Sequence, residues 1–401
     1  MTLPVLSEWK TEEVPDLDPK LAGYLWSKCG KYVTVTPPNL LTGTAWKLTP
    51  GNWIGSVPLP DGEVLRIKPK LPVLSLLRLL DLAYGFSKLD IHSNLASCDN
   101  LEDWFDHLVA HLVRRINVRM RQGLYRAYLP RRERISHVRG RIDLRPLISR
   151  PHDPTLVCRF QEHTADIIDN RIFAWTLHLA ARCVACAPQT RHQAQAAARV
   201  LSQTLTLTPF TAQDCLGRTY HRLNQDYEPL HAICRLVLDR LSPTWEAGDN
   251  RSLPFTLDMA ALFEAAVAAW LKINLDSTRY RVTAQDRFSI GQNAEIDFVA
   301  DIVITELATG TPIAVLDTKY KLDSVPSNDD VSQVITYATV LGAPLAGLVY
   351  PRTLSAPFQH LAGAAKIRVA SLCFPVDVHP DIAGAGCLES LGLQCRSEGL
   401  I

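Results

Sequence analysis

The chain has 401 residues, 47% hydrophobic and 21% charged, proportions that exclude a largely disordered or low-complexity polypeptide. A formal net charge of +1 excludes a uniformly basic or acidic surface, so affinity for a polyanion has to come from local clustering. No uninterrupted apolar run reaches the roughly twenty residues of a membrane span, and no charged segment followed by an apolar core opens the chain; a cytoplasmic protein with reduced thiols is expected.

Residues 1–95 alternate short β-like runs with turns. Tyr32 to Thr36, Trp53 to Val57 and Val64 to Lys68 are rich in β-branched and aromatic residues, and Pro37, Pro38, Pro50, Gly51, Pro60 and Gly62 punctuate them. They predict a β-rich N-terminal domain closed by an amphipathic segment around Leu74 to Leu82. Residues 96–245 read as a mainly helical middle region, with apolar residues at three- and four-residue spacing over Leu101 to Met120 and Asp166 to Ala187. Within it, the basic segment 114–145 holds eleven arginines against only Glu133 and Asp143. Arg114, Arg115, Arg119, Arg121, Arg126, Arg131, Arg132 and Arg134, interleaved with Tyr125 and Tyr128, are candidate DNA contacts, because guanidinium groups bind phosphate and rings stack on bases. A solvated face, or a surface for an acidic protein, explains the run equally well. Asn170 and Arg171 interrupt an apolar helix and are expected to make a polar contact between helices. Cys183 and Cys186 stand three apart in an alanine-rich helical stretch without a second pair at zinc spacing, so packing is expected rather than a metal site.

Ser242 to Ser252 read as a linker into a domain spanning 253–375. There, Met259, Leu262, Phe263, Ala266, Val267, Trp270 and Leu271 form an amphipathic stripe, with Asp258 or Thr256 as cap and Glu264 at its flank. Phe298 to Ile304 and Ala314 to Tyr320 read as buried strands on either side of a turn at Gly310, Thr311 and Pro312. Because side chains alternate along a strand, Asp317 and Lys319 share a face, as do Asp297 and Asp301. A polar loop from Asp323 leads to a helix over Val331 to Leu341, with Asn328 or Asp329 as cap and Asp330, Gln333 and Tyr337 on one face. Residues 376–401, with Pro380, Gly384, Gly386 and Gly392, read as an irregular tail. The chain lacks a phosphate-binding Gly-x4-Gly-Lys-Ser/Thr loop and is not expected to hydrolyse nucleotides itself.

Two strand carboxylates and a lysine gathered at one sheet edge suit metal-dependent phosphodiester hydrolysis: hard oxygen ligands hold Mg²⁺, and metal and ammonium oppose the charge developing on phosphate. Taken singly, each residue has an ordinary explanation: an ion pair for Asp317 and Lys319, a helix surface for Gln333, core for Tyr337, a solvated charge for Glu264. Their succession along the chain favours a nuclease.

Through Leu262-Phe263-Glu264, Gln285, Ala300 to Val303, Asp317 to Lys321, Asp330 to Gln333 and Thr336 to Ala338, the chain resembles the PD-(D/E)xK nuclease superfamily in its QxxxY branch. More closely it resembles the McrC family, the nuclease subunits of McrBC modified-cytosine restriction systems. A weaker likeness covers Gly140 to Asp143, Cys158 to Glu162 and Asp166 to Arg171. Ala300 stands where proline usually precedes the first strand acid. The resemblance implies an α/β (α+β) multidomain fold whose C-terminal core is a central mixed β-sheet flanked by helices. It implies Mg²⁺, with Mn²⁺ as substitute, on Asp301, Asp317 and Glu264, with Lys319, Gln333 and Tyr337 completing the catalytic set. It further implies a McrB-like AAA+ GTPase hexamer, engaged by residues 1–95 and stimulated by them, and methylated-cytosine DNA as substrate. A stand-alone repair-type nuclease and a catalytically dead subunit that only activates an AAA+ motor are the alternatives.

Overall fold

A computed structural model describes residues 3–39, 43, 45–60, 62–86, 100–145, 155–241, 252–290, 296–321, 326–363 and 366–393. The chain forms two compact units. One comprises Met1–Leu59, Glu63–Leu101 and Thr256–Ile401; the other comprises Pro60–Gly62 and Glu102–Phe255.

The first unit begins with β1 (Leu6–Ser7), β2 (Glu12–Val14), α1 (Pro19–Lys28), β3 (Val33–Thr36), β4 (Trp46–Pro50), β5 (Trp53–Pro58), β6 (Val64–Lys68) and α2 (Val73–Tyr84). Alternation drives these strands: Val33 and Val35 are buried between exposed Thr34 and Thr36, and Leu65 and Ile67 between exposed Arg66 and Lys68. After the second unit the chain returns with β10 (Phe255–Asp258), which completes a four-stranded sheet in the order β1-β6-β5-β10. Asn52 fastens this return. Its Nδ2 donates to Asp258 Oδ1 at 2.5 Å and its carbonyl accepts from Met259 N at 2.9 Å. The segments before residue 60 and after residue 255 therefore share one sheet.

Asp258 caps α7 (Met259–Asn274) as expected, accepting from the amides of Ala260 and Ala261. There follow β11 (Tyr280–Ile290), β12 (Ile296–Glu306), β13 (Pro312–Thr318), α8 (Asn328–Leu341), β14 (Leu345–Tyr350), β15 (Gln359–Ala362), β16 (Ile367–Cys373) and α9 (Pro380–Leu391). The strands form a mixed six-stranded sheet, ordered β11-β12-β13-β14-β16-β15. Strands β13, β14 and β16 are parallel, and the other pairings are antiparallel. Helix α8 is the crossover from β13 to β14. Its Val334, Tyr337 and Ala338 bury against Val303, Val315, Ala346, Leu348 and Tyr350 of the sheet.

Two local expectations change. Ser327 caps α8 in place of Asn328 or Asp329, because it closes a capping box with Asp330 three residues on. The segment expected as an irregular tail contains α9, capped by His379 and ended by Gly392 at φ +73°. Gly384 reads as a breaker in sequence but is a close-packing position: a Cβ there would lie 2.3 Å from the Trp270 ring.

The second unit contains α3 (Leu101–Gln122), β7 (Ala127–Ile135), β8 (Arg141–Ile142), β9 (Leu156–Thr164), α4 (Ile168–Ala180), α5 (Pro188–Ser202) and α6 (Tyr227–Arg240). The middle region is thus less helical than expected. Strands β7, β9 and β8 form a three-stranded antiparallel sheet. The arginine-rich stretch 127–135 alternates half-buried with exposed residues over much of its length, a period of two that the clustered charge obscures. Helix α4 ends at Ala180, so Cys183 and Cys186 lie beyond it. The backbone there bonds to Leu253, and both thiols are buried and free. Asn170 makes the expected contact: its Nδ2 donates to the carbonyls of Tyr125 and Ala165, and its Oδ1 accepts from the Tyr227 hydroxyl at 2.7 Å. The linker read over Ser242 to Ser252 lies outside the described residues, Ser252 excepted.

Candidate active site

Antiparallel β12 and β13 carry the two strand acids. Asp301 lies one step before Ile302, which pairs with Leu316, so it stands opposite the start of the Asp317 step. Its Oδ2 accepts from Thr318 N at 2.8 Å and Thr318 Oγ1 at 2.9 Å, which fixes its rotamer. Asp317 pairs in parallel with Leu348 on β14 and is 2% exposed. The Lys319 ammonium lies 2.7 Å from Asp317 Oδ2, yet that buried oxygen has no hydrogen-bond donor of good geometry among the described residues. Burial pushes the Asp317 carboxyl up to about 6 against the bond from Lys319, and the charge of Asp301 adds to the rise.

Lys319 follows the end of β13, where its N–H donates to Val349 O and prolongs the ladder. Its ammonium donates to Gln333 Oε1 at 3.2 Å and stands 3.6 Å from Asp330 Oδ1. Gln333 Nε2 donates in turn to the Tyr337 hydroxyl at 2.8 Å, and the Tyr337 ring packs edge-on against Phe288 and Phe298. A continuous polar chain therefore runs from the strand acid to a buried aromatic anchor. Burial opposes the Lys319 charge, but Asp317, then Asp330 and Asp301, outweigh it and raise this pKa.

Glu264, on α7, reaches the same edge. Gln285 Nε2 donates to its Oε1. Burial first, then the charge of Asp301, pushes its carboxyl up to about 7; Gln285 acts the other way and Asp317 adds a smaller rise. The structure thus brings Asp301, Asp317, Lys319, Gln333, Tyr337 and Glu264 into one electrostatic neighbourhood. Asp297 lies apart. It pairs with Ser289 at 2.5 Å on the exposed part of the hairpin, four residues or about 13 Å along the strand from Asp301.

Three further groups belong here. Lys321 bonds the inward carboxylate of Asp330, and the alternation Asp317-x-Lys319-x-Lys321 was its signal. Thr318 contributes its backbone and hydroxyl to Asp301. Tyr350 carries no chemical signal in an apolar strand, yet its buried hydroxyl lacks a hydrogen-bond partner among the described residues. Burial, with Asp330 and Asp317, raises its pKa. Of the loop preceding α8, residues 322–325 lie outside the described set.

The donor set fits a hard divalent cation. It offers carboxylate oxygens, one of them buried and paired only with the Lys319 ammonium, and crowded acids whose pKa values are raised by burial and mutual repulsion. No three acidic, imidazole or thiol side chains converge as a ready cage among the described residues. Mg²⁺ does not need one, because it keeps several waters and is held by one or two carboxylates with phosphate oxygens.

The arginines divide by their partners. Arg119 donates to Leu223 O and faces Asp226; Arg131 pairs with Glu162, and Arg132 joins Arg159 on Asp143. Arg114, Arg115, Arg121 and Arg126 are exposed and make no ion pair among the described residues. The weaker sequence likeness is structural in the same way: Asp143 holds two arginines, and Asp166 is brought to about 2 by the two hydrogen bonds that Arg171 donates, with Thr206 also donating.

The family model described as McrBC 5-methylcytosine restriction system component matches residues 48–351. The chain belongs to this family. The resemblance to McrBC restriction systems read from the sequence is thereby borne out. A chain of the tetradecameric assembly of Thermococcus gammatolerans McrB AAA+ hexamers with bound McrC is 18% identical, with a TM-score of 0.55 over 98% of this chain and 100% of that one. That likeness shows a shared mixed α/β fold. A chain of the Thermococcus gammatolerans McrBC complex is 20% identical over 67% of this chain and 86% of its own, with a TM-score of 0.42. No curated protein matches. Among the described residues, no helix of this McrBC family member is long and apolar enough to cross a membrane.

Proposed function

We propose that this chain is the McrC-type subunit of a McrBC-like restriction system, a Mg²⁺-dependent DNA endonuclease of the PD-(D/E)xK class that cuts methylated-cytosine DNA with an AAA+ GTPase partner. The observation that carries this reading is the pairing of Asp317 with Lys319. A buried carboxylate oxygen faces only an ammonium at 2.7 Å, beside Asp301 on the adjacent strand, in a chain of the McrBC family.

Asp301 and Asp317, with the Thr318 carbonyl, would hold the cation, and Glu264 would bind at its outer side or orient the attacking water. Bound there, Mg²⁺ supplies positive charge against the developing phosphate charge and makes water a better nucleophile at neutral pH. Lys319 presents its ammonium to the same phosphate; Gln333 holds that ammonium in place, and Tyr337 holds Gln333. Burial of Asp317 strengthens these charge interactions by excluding water.

DNA contact is assigned to the unpaired arginines. Arg114 and Arg121 line an open groove of about 530 Å³ on α3 with Asn117 and Gln193, and Arg115 and Arg126 are exposed nearby in sequence. Residues 1–95 are assigned to the AAA+ partner, whose GTP hydrolysis they stimulate. The solved assembly of McrB AAA+ hexamers with bound McrC supports such a partner.

The test is cleavage of methylated and unmethylated plasmid with Mg²⁺, GTP and the McrB-like protein, comparing wild type with Asp317→Ala. Methylation-dependent cutting that needs the partner and vanishes in the variant is expected. Cutting without the partner indicates a stand-alone nuclease. Equal GTPase stimulation by both proteins with no cutting indicates a motor-activating subunit.

A further inference from the structure

Gln285 has a φ of +52°, in the left-handed region that residues with a Cβ rarely occupy. The other non-glycine residues with positive φ, Trp9, Asp16 and Lys366, lie in turns; Gln285 lies inside a strand. Ala284 pairs with Ile302 and Asp286 with Ala300, so the register is unchanged across Gln285 while the ladder skips it. The residue opposite the skipped position is Asp301. The same kink carries the Gln285 amide to Glu264, on the neighbouring helix α7. Backbone strain of this kind persists where the surrounding structure enforces it, and it concentrates at functional sites.

We propose that Gln285 is a positioning residue: its kinked backbone aims the side-chain amide at Glu264 and holds that carboxylate beside Asp301 and Asp317, setting the geometry in which the acids receive a divalent cation and water. This rests on the nuclease reading above. Glycine at 285 relieves the left-handed backbone and removes the amide. Methionine keeps the length of the side chain and removes only the hydrogen-bond donor.

The experiment uses the full-length chain, with Mn²⁺ as the metal probe and methylated plasmid plus the AAA+ GTPase for turnover. Gln285→Gly is expected to melt at or above the wild-type temperature without metal. In both Gln285→Gly and Gln285→Met, the Mn²⁺-induced rise in melting temperature is expected to shrink by at least half, and kcat to fall at least tenfold with KM for DNA within twofold. Either variant folding normally with an unchanged Mn²⁺ response and kcat overturns the inference. If Gln285→Gly instead melts several degrees lower while Gln285→Met keeps wild-type kcat, the kink is structural and the inference also falls. Wild type showing neither Mn²⁺ stabilisation nor cleavage overturns the nuclease reading and this inference with it. Wild type showing both beside unchanged variants overturns the inference alone.

Discussion

Asp317 is 2% exposed, and burial lifts its carboxyl to about 6 even with Lys319 at 2.7 Å. Its folded pKa therefore exceeds the unfolded value, so the folded state holds this proton more tightly. The resulting stability is full below about pH 4 and is lost as pH rises through about 6. Asp317→Asn should match wild type near pH 4 and become more stable by up to about 3 kcal/mol at pH 8 without metal. Urea unfolding at the two pH values checks this, and no gain at pH 8 would contradict it. Mg²⁺ should stabilise wild type but not the variant. Lys319→Met should lower kcat for plasmid cleavage by roughly 10² to 10³-fold, the scale of removing one electrostatic stabiliser, with DNA affinity nearly unchanged. The acid-x-lysine alternation was legible because strand periodicity is local. Tyr350 was not legible, because an apolar strand gives no sign that its hydroxyl is buried without a hydrogen-bond partner among the described residues.

At the scale of elements, α8 is defined by its capping box and by the face it lays on β13 and β14. Ser327→Ala removes the acceptor for Asp330 N and should destabilise the protein by about 1 kcal/mol in urea titration, with cleavage affected only through stability. Sequence placed this helix within three residues of its start but chose the wrong cap, since four adjacent polar residues all qualify and only the chain's approach selects one. Helix α9 was missed for a different reason. Its glycines weaken helix propensity, yet Gly384 lets α9 approach Trp270 within 2.3 Å of where a Cβ would sit. Gly384→Ala should therefore lower stability by roughly 1–3 kcal/mol through overpacking, despite alanine's better helix propensity. A rise in melting temperature would show that α9 tolerates a shift.

At the scale of the molecule, the strand after the second unit completes a sheet begun by the first sixty-eight residues. The N-terminal segment also reaches the site-bearing strand: Glu8 is fully buried, and its Oε2 accepts from the Tyr320 hydroxyl at 3.5 Å and from Lys70 N at 3.2 Å. Tyr320 is the residue after Lys319. A fragment starting at residue 253 would expose β10 and this tyrosine. It should lack a cooperative melting transition alone and regain one when co-expressed with residues 1–101. Cooperative melting of the isolated fragment would show that the C-terminal segment folds independently.

The sequence by itself determined the strand acids, the lysine and the helix bearing Gln333 and Tyr337, because each rests on alternation or helical spacing over a few residues, and the motifs those residues form carried the resemblance to the family. Only the tertiary structure decided that Glu264 meets Gln285, that the Tyr350 hydroxyl is buried without a hydrogen-bond partner among the described residues, that the arginine run divides between a helix and a sheet, and that β10 pairs with β5. Those outcomes depend on pairing between segments tens to two hundred residues apart, where register and burial are set by the packed fold rather than by local pattern.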